Sequence, residues 1–583
     1  MASELLKIAN ISDVLEGQVL AINVEGVDLI LLQESGIFYI FQGLCPHKNA
    51  TLATGTLIGK NLKCSLHGWE YDISSGKKVG TDNICLTSFP YEIKGEEIFI
   101  ISHSLQKWRD LQTQLTFVPK ESYKNIKSLP AVPGNFFTGN ISKLKFTTLH
   151  KTLEDWSSQY NGIFTIRLLR KTAIVLSDPE LIQEVLKNRP EYFRRTSKLD
   201  SCLKDMGIQG VFTAEGDSWR RQRQYVMSAL SPVRVKGFLN QMSVIAKRMI
   251  LRWSNLKDQS IEIQKEFMRF TVDITTNFAF GYDMNTIEKE TDPLQKKLEI
   301  VFPMLAKRLN SIFPYWKYIK FSEDRKLDKT LSEIKKIVQE FTEAARTRLK
   351  ENPSLMSSPQ NFLETILAKN ETEGSQVTDH EIMSNVMTLL LAGEDTTANT
   401  LAWIMYYITK YPKIQNKIRE EVNLIFQDTE SFNSIEKLEK LKYLEAVTME
   451  TLRLKPVAPM MLLESKKDYV LNSVFIPAGT IFFLSLSYAG KLEENFTNAL
   501  EFDPERWLRS VKPSEKHNAN HTMPFGSGPR FCPGRNLALT EIKLLLSMLI
   551  NQFHFSRDMD KKVTENLAFT LQPQNLWIGI QKI

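Results

Sequence analysis

Cys45-Pro46-His47-Lys48-Asn49-Ala50-Thr51-Leu52, followed after a short gap by Leu62-Lys63-Cys64-Ser65-Leu66-His67-Gly68-Trp69, is the stretch on which the reading of this chain turns. It holds two thiols and two imidazoles, arranged as a Cys-x-His pair and a Cys-x-x-His pair. Such side chains are ligands of soft and borderline metals, and four of them complete a coordination set. Tetrahedral zinc accepts two Cys and two His, but these spacings and the Gly-Trp that follows are not those of a zinc finger. The other group that fits is a two-iron cluster in which two thiolates hold one iron and two imidazoles hold the other.

Around that stretch the sequence reads as short strands, over residues 18–24, 36–41 and 96–100, separated by Gly and Asn/Asp turns. That pattern is typical of a small all-β unit. Gly55-Thr56-Leu57-Ile58-Gly59-Lys60 is one residue short of a phosphate loop and is followed by Asn61, so it reads as a turn. From Ser102 to Lys127 the chain is polar, and Leu129-Pro130-Ala131-Val132-Pro133-Gly134 punctuates it as a domain entry would. Beyond it, apolar residues recur at helical period over 242–253, 329–348, 380–407 and 539–549, with a β-rich interruption over 468–486. At 583 residues the chain is too long for one simple core. The expectation is a multidomain protein: a small all-β domain at 1–104, a linker at 105–128, and a large mainly α domain with a minor β part at 129–583.

Composition narrows the class. Hydrophobic residues at 42% and charged residues at 24% describe a globular protein rather than a disordered one. No apolar run reaches the 18 residues or so that a transmembrane helix needs, and the N-terminus lacks the apolar core of a secretory signal. A cytoplasmic protein without a transmembrane anchor is expected. Five cysteines suit no disulfide framework, and three of them sit in metal motifs. Cys85 and Cys202 are expected to be reduced, half-buried packing residues. Residues 1–104 carry 7 basic and 12 acidic side chains, a net of −5, and the rest of the chain carries +12. No nucleic-acid motif accompanies the basic part. An acidic electron donor docking on a basic acceptor accounts for the asymmetry, as does ordinary solvated surface charge.

A second cysteine motif lies near the far end: Phe525-Gly526-Ser527-Gly528-Pro529-Arg530-Phe531-Cys532-Pro533-Gly534. Glycines there permit a tight loop, and backbone N–H groups can then reach the sulfur. Four further segments stand out upstream: Trp219-x-x-x-Arg223, Ala392-Gly393-Glu394-Asp395-Thr396-Thr397, Glu450-Thr451-Leu452-Arg453, and Phe502-Asp503-Pro504-Glu505-Arg506-Trp507. Asp395 and Thr396 fall mid-helix, where propensity favours neither, between apolar flanks that mark a buried helix.

The first stretch closely resembles the Rieske ferredoxins and the Rieske domains of ring-hydroxylating oxygenases, over about residues 4–102. That resemblance implies a 2Fe-2S cluster held by Cys45, His47, Cys64 and His67. The later five segments, in order over residues 129–583, resemble the cytochrome P-450 family. They imply a haem b whose iron takes the Cys532 thiolate, within the loop that Phe525 opens. Trp219, Arg223 and Arg530 are then expected at the haem propionates, and Asp395 and Thr396 at proton delivery to bound oxygen. Glu450, Arg453 and Arg506 are implied as a structural ion cluster.

The chain departs from that pattern in two places. Residues 456–464 lack the arginine that often binds a propionate, and Ser487-Tyr488-Ala489-Gly490-Lys491 stands where a His-Arg often follows. The apolar run 457–463, with Phe212 and Leu389, suggests a pocket for a lipophilic substrate.

The expected function is a monooxygenase in which the Rieske cluster relays single electrons to a haem that activates O2. It would hydroxylate or epoxidise a lipophilic small molecule. No G-x-G-x-x-G fingerprint is present, so an external NAD(P)H-dependent ferredoxin reductase is an expected partner, and nucleic acid is not. A Rieske non-haem dioxygenase needs a 2-His-1-carboxylate site, for which no fitting His pair follows. A haem-thiolate isomerase or dehydratase, or a redox sensor with the Rieske domain in a regulatory role, is the alternative.

Overall fold

The computed structural model describes residues 5–46, 51–64, 68–80, 84–116, 123–256, 260–289, 293–311, 313–372, 377–427, 431–509 and 515–583. The chain divides into two compact units, Met1–Ser122 and Tyr123–Ile583.

The first unit is strand-rich. Val19–Val24, Val27–Glu34 and Ile37–Gln42 form an antiparallel meander. Leu5–Asn10 pairs with Glu97–Ile101, which pairs in turn with Tyr91–Lys94. A smaller sheet joins Thr56–Ile58, Asn61–Lys63 and Glu70–Asp72. The phosphate-loop look-alike at 55–60 is the strand Thr56–Ile58 and the Gly59-Lys60 turn of that sheet's first hairpin, with Gly59 at φ +56°.

The middle strand of the meander decides how this unit packs. Its run Leu29-Ile30-Leu31-Leu32 is almost wholly buried, and successive side chains point to opposite faces. Leu29 and Leu31 join one core with Phe38, Ile98 and Ile100. Ile30 and Leu32 join the other, with Leu62, Tyr71, Cys45 and Cys64. Ser102–Thr116 is an α-helix, where the polar composition suggested part of a linker. Leu105 is buried in the first of these cores and Trp108 packs on Phe89. These two residues, three apart, lie on one face of the helix and hold it to the strands.

The second unit is mainly helical with subsidiary sheets. Its axis is the 32-residue helix Asp379–Lys410. A capping box starts that helix: Glu381 N–H donates to Thr378 Oγ1 at 3.2 Å and Thr378 N–H donates to Glu381 Oε2 at 3.1 Å. From Ala398 to Met405 every residue is buried, so the helix is enclosed on all sides there. Helix Ile263–Phe280 runs against it at Gly393, where a Cβ would come within 2.9 Å of Thr275 Oγ1.

A five-stranded sheet lies to one side, in the order Ile163–Leu168, Lys171–Leu176, Ile481–Ser485, Met460–Ser465, Phe193–Arg195. Its single parallel pairing joins Lys171–Leu176 to Ile481–Ser485. The periodic segments of the sequence correspond to helices Pro232–Ser254, Ser322–Glu351, Asp379–Lys410 and Arg535–Gln552. Among the described residues no helix is long and apolar enough to cross a membrane.

Candidate functional site

In the first unit Cys45 and Cys64 are both buried, with exposures of 0% and 1%. Cys64 immediately follows strand Asn61–Lys63, and two backbone bonds tie it to Gly68 and Trp69. Cys64 N–H donates to Trp69 O at 2.7 Å, and Gly68 N–H donates to Cys64 O at 2.9 Å, with Gly68 at φ +69°. Tyr71 Oη and Cys45 Sγ are hydrogen-bonded at 2.9 Å. Burial first, and then the Cys45 bond, push the Tyr71 phenol far above its ordinary range. It therefore stays a neutral donor for a sulfur ligand. Lys78 Nζ lies 4.2 Å over the Trp69 ring. His47 and His67 lie outside the described residues. Two buried thiols and a fixed phenol suit the thiolate half of an iron–sulfur site. Cys202 is a core residue, but Cys85 is exposed rather than half-buried, with its thiol turned to the carbonyls of Ser75 and Leu86.

In the second unit the Cys532 loop precedes helix Arg535–Gln552. Cys532 N–H donates to Phe525 O at 2.8 Å and closes the loop. Gly526 and Gly528 hold φ +72° and +70°, a region that costs other residues about 1–2 kcal/mol. Burial pushes the Cys532 thiol up, while the N–H groups of Gly534 and Arg535 and the charge of Arg223 pull it down. Those groups favour a thiolate, the form in which Cys532 would hold a haem iron. Phe525 lies beside the loop with the Arg535 guanidinium 5.7 Å from its ring centre.

The residues expected at the propionates divide into two places. Arg530 lies 4.7 Å from the Trp219 ring centre, donates to Ala214 O, and stands 3.2 Å from Glu215 Oε2. Arg223 instead turns to the cysteine loop: its Nη2 donates to Phe531 O at 2.7 Å and its guanidinium stacks 4.7 Å from the Phe531 ring. Two cations that the sequence reading did not single out lie near Arg530. Arg189 is 3% exposed, and Arg195 stacks on Phe212 at 3.6 Å. Burial and the nearby Arg530 bring Arg189 down to about 9, and burial with Arg189 and Arg530 lowers Arg195 well below its usual value. Buried cations with few anions fit a dianionic haem.

Asp395 and Thr396 sit half-buried in the central helix, but their side chains do not bond each other. Thr396 Oγ1 donates back to Ala392 O at 2.8 Å. Asp395 Oδ2 accepts from Thr570 Oγ1 at 2.7 Å and Oδ1 from Asn399 Nδ2 at 3.4 Å. Burial raises the Asp395 carboxyl above its usual range against those two bonds. Glu541, beneath the same helix, is 2% exposed and hydrogen-bonds Thr397. Burial pushes it up to about 8. Neither Thr570 nor Glu541 was singled out by the sequence reading.

The apolar run does not present one face. In strand Met460–Ser465, Met460 and Leu462 pack into one core and Met461 and Leu463 into another. Glu464 is held by Arg194 at 2.9 Å and by Ser197.

Away from these groups, Glu450, Arg453 and Arg506 form a buried ion cluster. Arg453 Nη2 and Nε lie 2.7 and 2.8 Å from the two Glu450 oxygens, and Arg506 Nε is 3.0 Å from Oε1.

Comparison with known sequences agrees with this architecture. The family model described as Cytochrome P450 matches residues 130–578, and the one described as Rieske [2Fe-2S] domain matches residues 4–90. Protein LUTEIN DEFICIENT 5, chloroplastic, from Arabidopsis thaliana is 27% identical over 72% of this chain and 71% of its own length. Cytochrome P450 3A30 from Fundulus heteroclitus is 29% identical over 69% of this chain and 82% of its own. The 6,7,8-trihydroxycoumarin synthase of Pastinaca sativa is 28% identical over 79% of this chain and 94% of its own.

A haem-thiolate helical unit joined to an iron–sulfur β unit is thus what the fold and its two cysteine sites define. The chain belongs to the cytochrome P450 family, with a Rieske domain at its N-terminus. It is a cytochrome P450 monooxygenase whose cofactors are haem and a 2Fe-2S cluster.

Proposed function

We propose that the Rieske unit passes single electrons, drawn from an external NAD(P)H-dependent ferredoxin reductase, to the P450 unit of the same chain, which hydroxylates or epoxidises a lipophilic small molecule. When bound, the thiolate-ligated haem activates O2 and the 2Fe-2S cluster carries one electron at a time. The observation that carries this reading is the presence of both cysteine sites in one chain. Cys45 and Cys64 are buried beside Tyr71, and Cys532 is half-buried with its sulfur facing the N–H groups of Gly534 and Arg535. A tether makes the transfer intramolecular and removes the need for a donor to find its acceptor by diffusion.

The chain's own residues take the following parts. Cys45, His47, Cys64 and His67 hold the cluster, and Cys532 supplies the haem thiolate. Trp219 and Arg530 hold propionate charge. Arg223 secures the cysteine loop through Phe531 O. Asp395 and Thr396 take the part of proton delivery through water, the Thr396 hydroxyl turning from Ala392 O to donate a hydrogen bond toward the haem side. Val457, Leu389 and Phe212 favour an apolar substrate, in keeping with the aromatic product in the name of the Pastinaca relative.

Anaerobic reduction under carbon monoxide tests the route. NADPH, a ferredoxin reductase and either wild type or His67→Ala are mixed, and the thiolate-type ferrous–CO band is followed. The band should grow only in wild type. Equal growth in both proteins would show that electrons bypass the Rieske unit.

A further inference from the structure

Arg189 follows helix Pro179–Lys187, whose last turn lies against the cysteine loop. A Cβ on Gly528 would come within 2.4 Å of Leu186 O and 2.8 Å of Lys187 Cα. Arg189 is 3% exposed, and among the described residues its Nε and Nη2 have no hydrogen-bond partner. Its remaining nitrogen, Nη1, lies 3.6 Å from Met461 Sδ. Met461 belongs to the strand after the Glu450–Arg453 helix, within the segment that lacks an arginine.

The charges around it do not balance. Arg530 and Arg195 face Arg189 as like charges, and Glu215 is the single carboxylate among the described groups that act on it. Glu215 is already shared with Arg530 at 3.2 Å and with the half-exposed Lys466 at 3.9 Å. Arg530 also has an unbonded Nε. Three guanidiniums against one carboxylate leave two positive charges uncompensated, in a place where an unpaired charge is costly. Two carboxylates arriving together would neutralise them and occupy the unbonded N–H groups.

We propose that Arg189 binds a haem propionate, reaching from the end of helix Pro179–Lys187 to do what an arginine in residues 456–464 would otherwise do. A forked donor with two free N–H groups suits a carboxylate better than a point charge would. The inference rests on the haem and on these residues, and it is independent of the electron route proposed above.

The test compares full-length wild type and Arg189→Gln, each reconstituted with protohaem or with its propionate dimethyl ester. Transfer of haem to excess apomyoglobin is timed by the Soret band. Arg189→Gln should release protohaem about tenfold or more faster, the loss of one charge-assisted bond, and release the diester at the wild-type rate. Arg189→Lys, which keeps charge without the fork, should fall between. Equal acceleration for both haems would mean that Arg189 only supports the fold, and unchanged rates would mean that it does not meet the propionate. Either result overturns the proposal. If Arg189→Gln does not fold, the same two comparisons on Arg189→Lys decide the matter.

Discussion

Replacing Glu450 by Gln removes one negative charge and almost no volume, so its cost reads the ion cluster directly. Glu450 is 0% exposed and accepts five donors on two oxygens. Oε1 takes Arg453 Nη2, Arg506 Nε and the N–H of Asp503. Oε2 takes Arg453 Nε and the indole N–H of Trp507. Burial alone would push this carboxyl up, but Arg453, the Asp503 N–H and Arg506 more than offset it and hold it below its usual range. It is therefore ionised at neutral pH. A Gln amide must turn its NH2 toward one of the two donor groups. The better orientation strands Arg453 Nε and Trp507 Nε1, at about 1–3 kcal/mol for each unmet donor. Breaking a buried pair costs about 3–5 kcal/mol by mutational precedent, and the two figures describe the same loss. The expected cost is about 5 kcal/mol, comparable with the whole stability of many domains. Denaturant unfolding followed by helical circular dichroism measures it. Lys236→Met, at the exposed pair with Glu436, should leave the midpoint unchanged. If Glu450→Gln fails to accumulate as folded protein, Arg506→Lys gives a milder reading, because it keeps the charge and loses the Nε bond. A loss below about 1 kcal/mol for Glu450→Gln would refute the reasoning.

Two neighbouring glycines should differ. Gly526→Ala faces the positive-φ penalty alone, about 1–2 kcal/mol, since its Cβ would meet nothing closer than 4.0 Å. Gly528→Ala adds a collision with the backbone of Leu186 at 2.4 Å, and should cost at least about 1 kcal/mol more in the same unfolding assay. Glu541, at about 8 in the folded state against 4.5 as a free side chain, takes up a proton on folding. Its contribution is full below 4.5 and is lost as pH rises toward 8, by about 1.4 kcal/mol per unit. Glu541→Gln should flatten the fall in stability across that window, which thermal unfolding at pH 5, 6, 7 and 8 would show.

What could be read from the sequence was whatever repeats locally or recurs as a motif. Helical period gave the long helices, because each buries a stripe against a common core, and the strand pattern gave the outer strands of the meander but not Val27–Glu34, which is buried on both faces and so does not alternate. The motifs around Cys45, Cys64 and Cys532 stood out by their spacing. Residues whose roles depend on distant neighbours did not. Thr570 meets Asp395 across 175 positions. Arg189 sits in an arginine-rich stretch with no periodic mark, and only the fold of the cysteine loop onto helix Pro179–Lys187 brings it beside Arg530. Glu541 did leave a signal, as an acid inside the apolar run 539–549, and burial turned it into a neutral carboxyl. The helix at Ser102–Thr116 was obscured because its polar surface outweighs the few residues, Leu105 among them, that hold it.

The parallel pairing in the five-stranded sheet also orders events on the ribosome. Ala173–Leu176 is an apolar strand with one edge covered by its own hairpin and the other meant for Ile481–Leu484. That partner is made roughly three hundred residues later, which is about 15–60 s at ordinary rates of synthesis. During that interval the open edge is a template for unwanted pairing with other chains. The first unit carries no such debt, because Leu5–Asn10 finds Glu97–Ile101 within its own first hundred residues and can close while the rest is still being made. Expression at lower temperature, or with chaperones that shield nascent strands, should therefore raise the yield of the haem unit more than that of the Rieske unit.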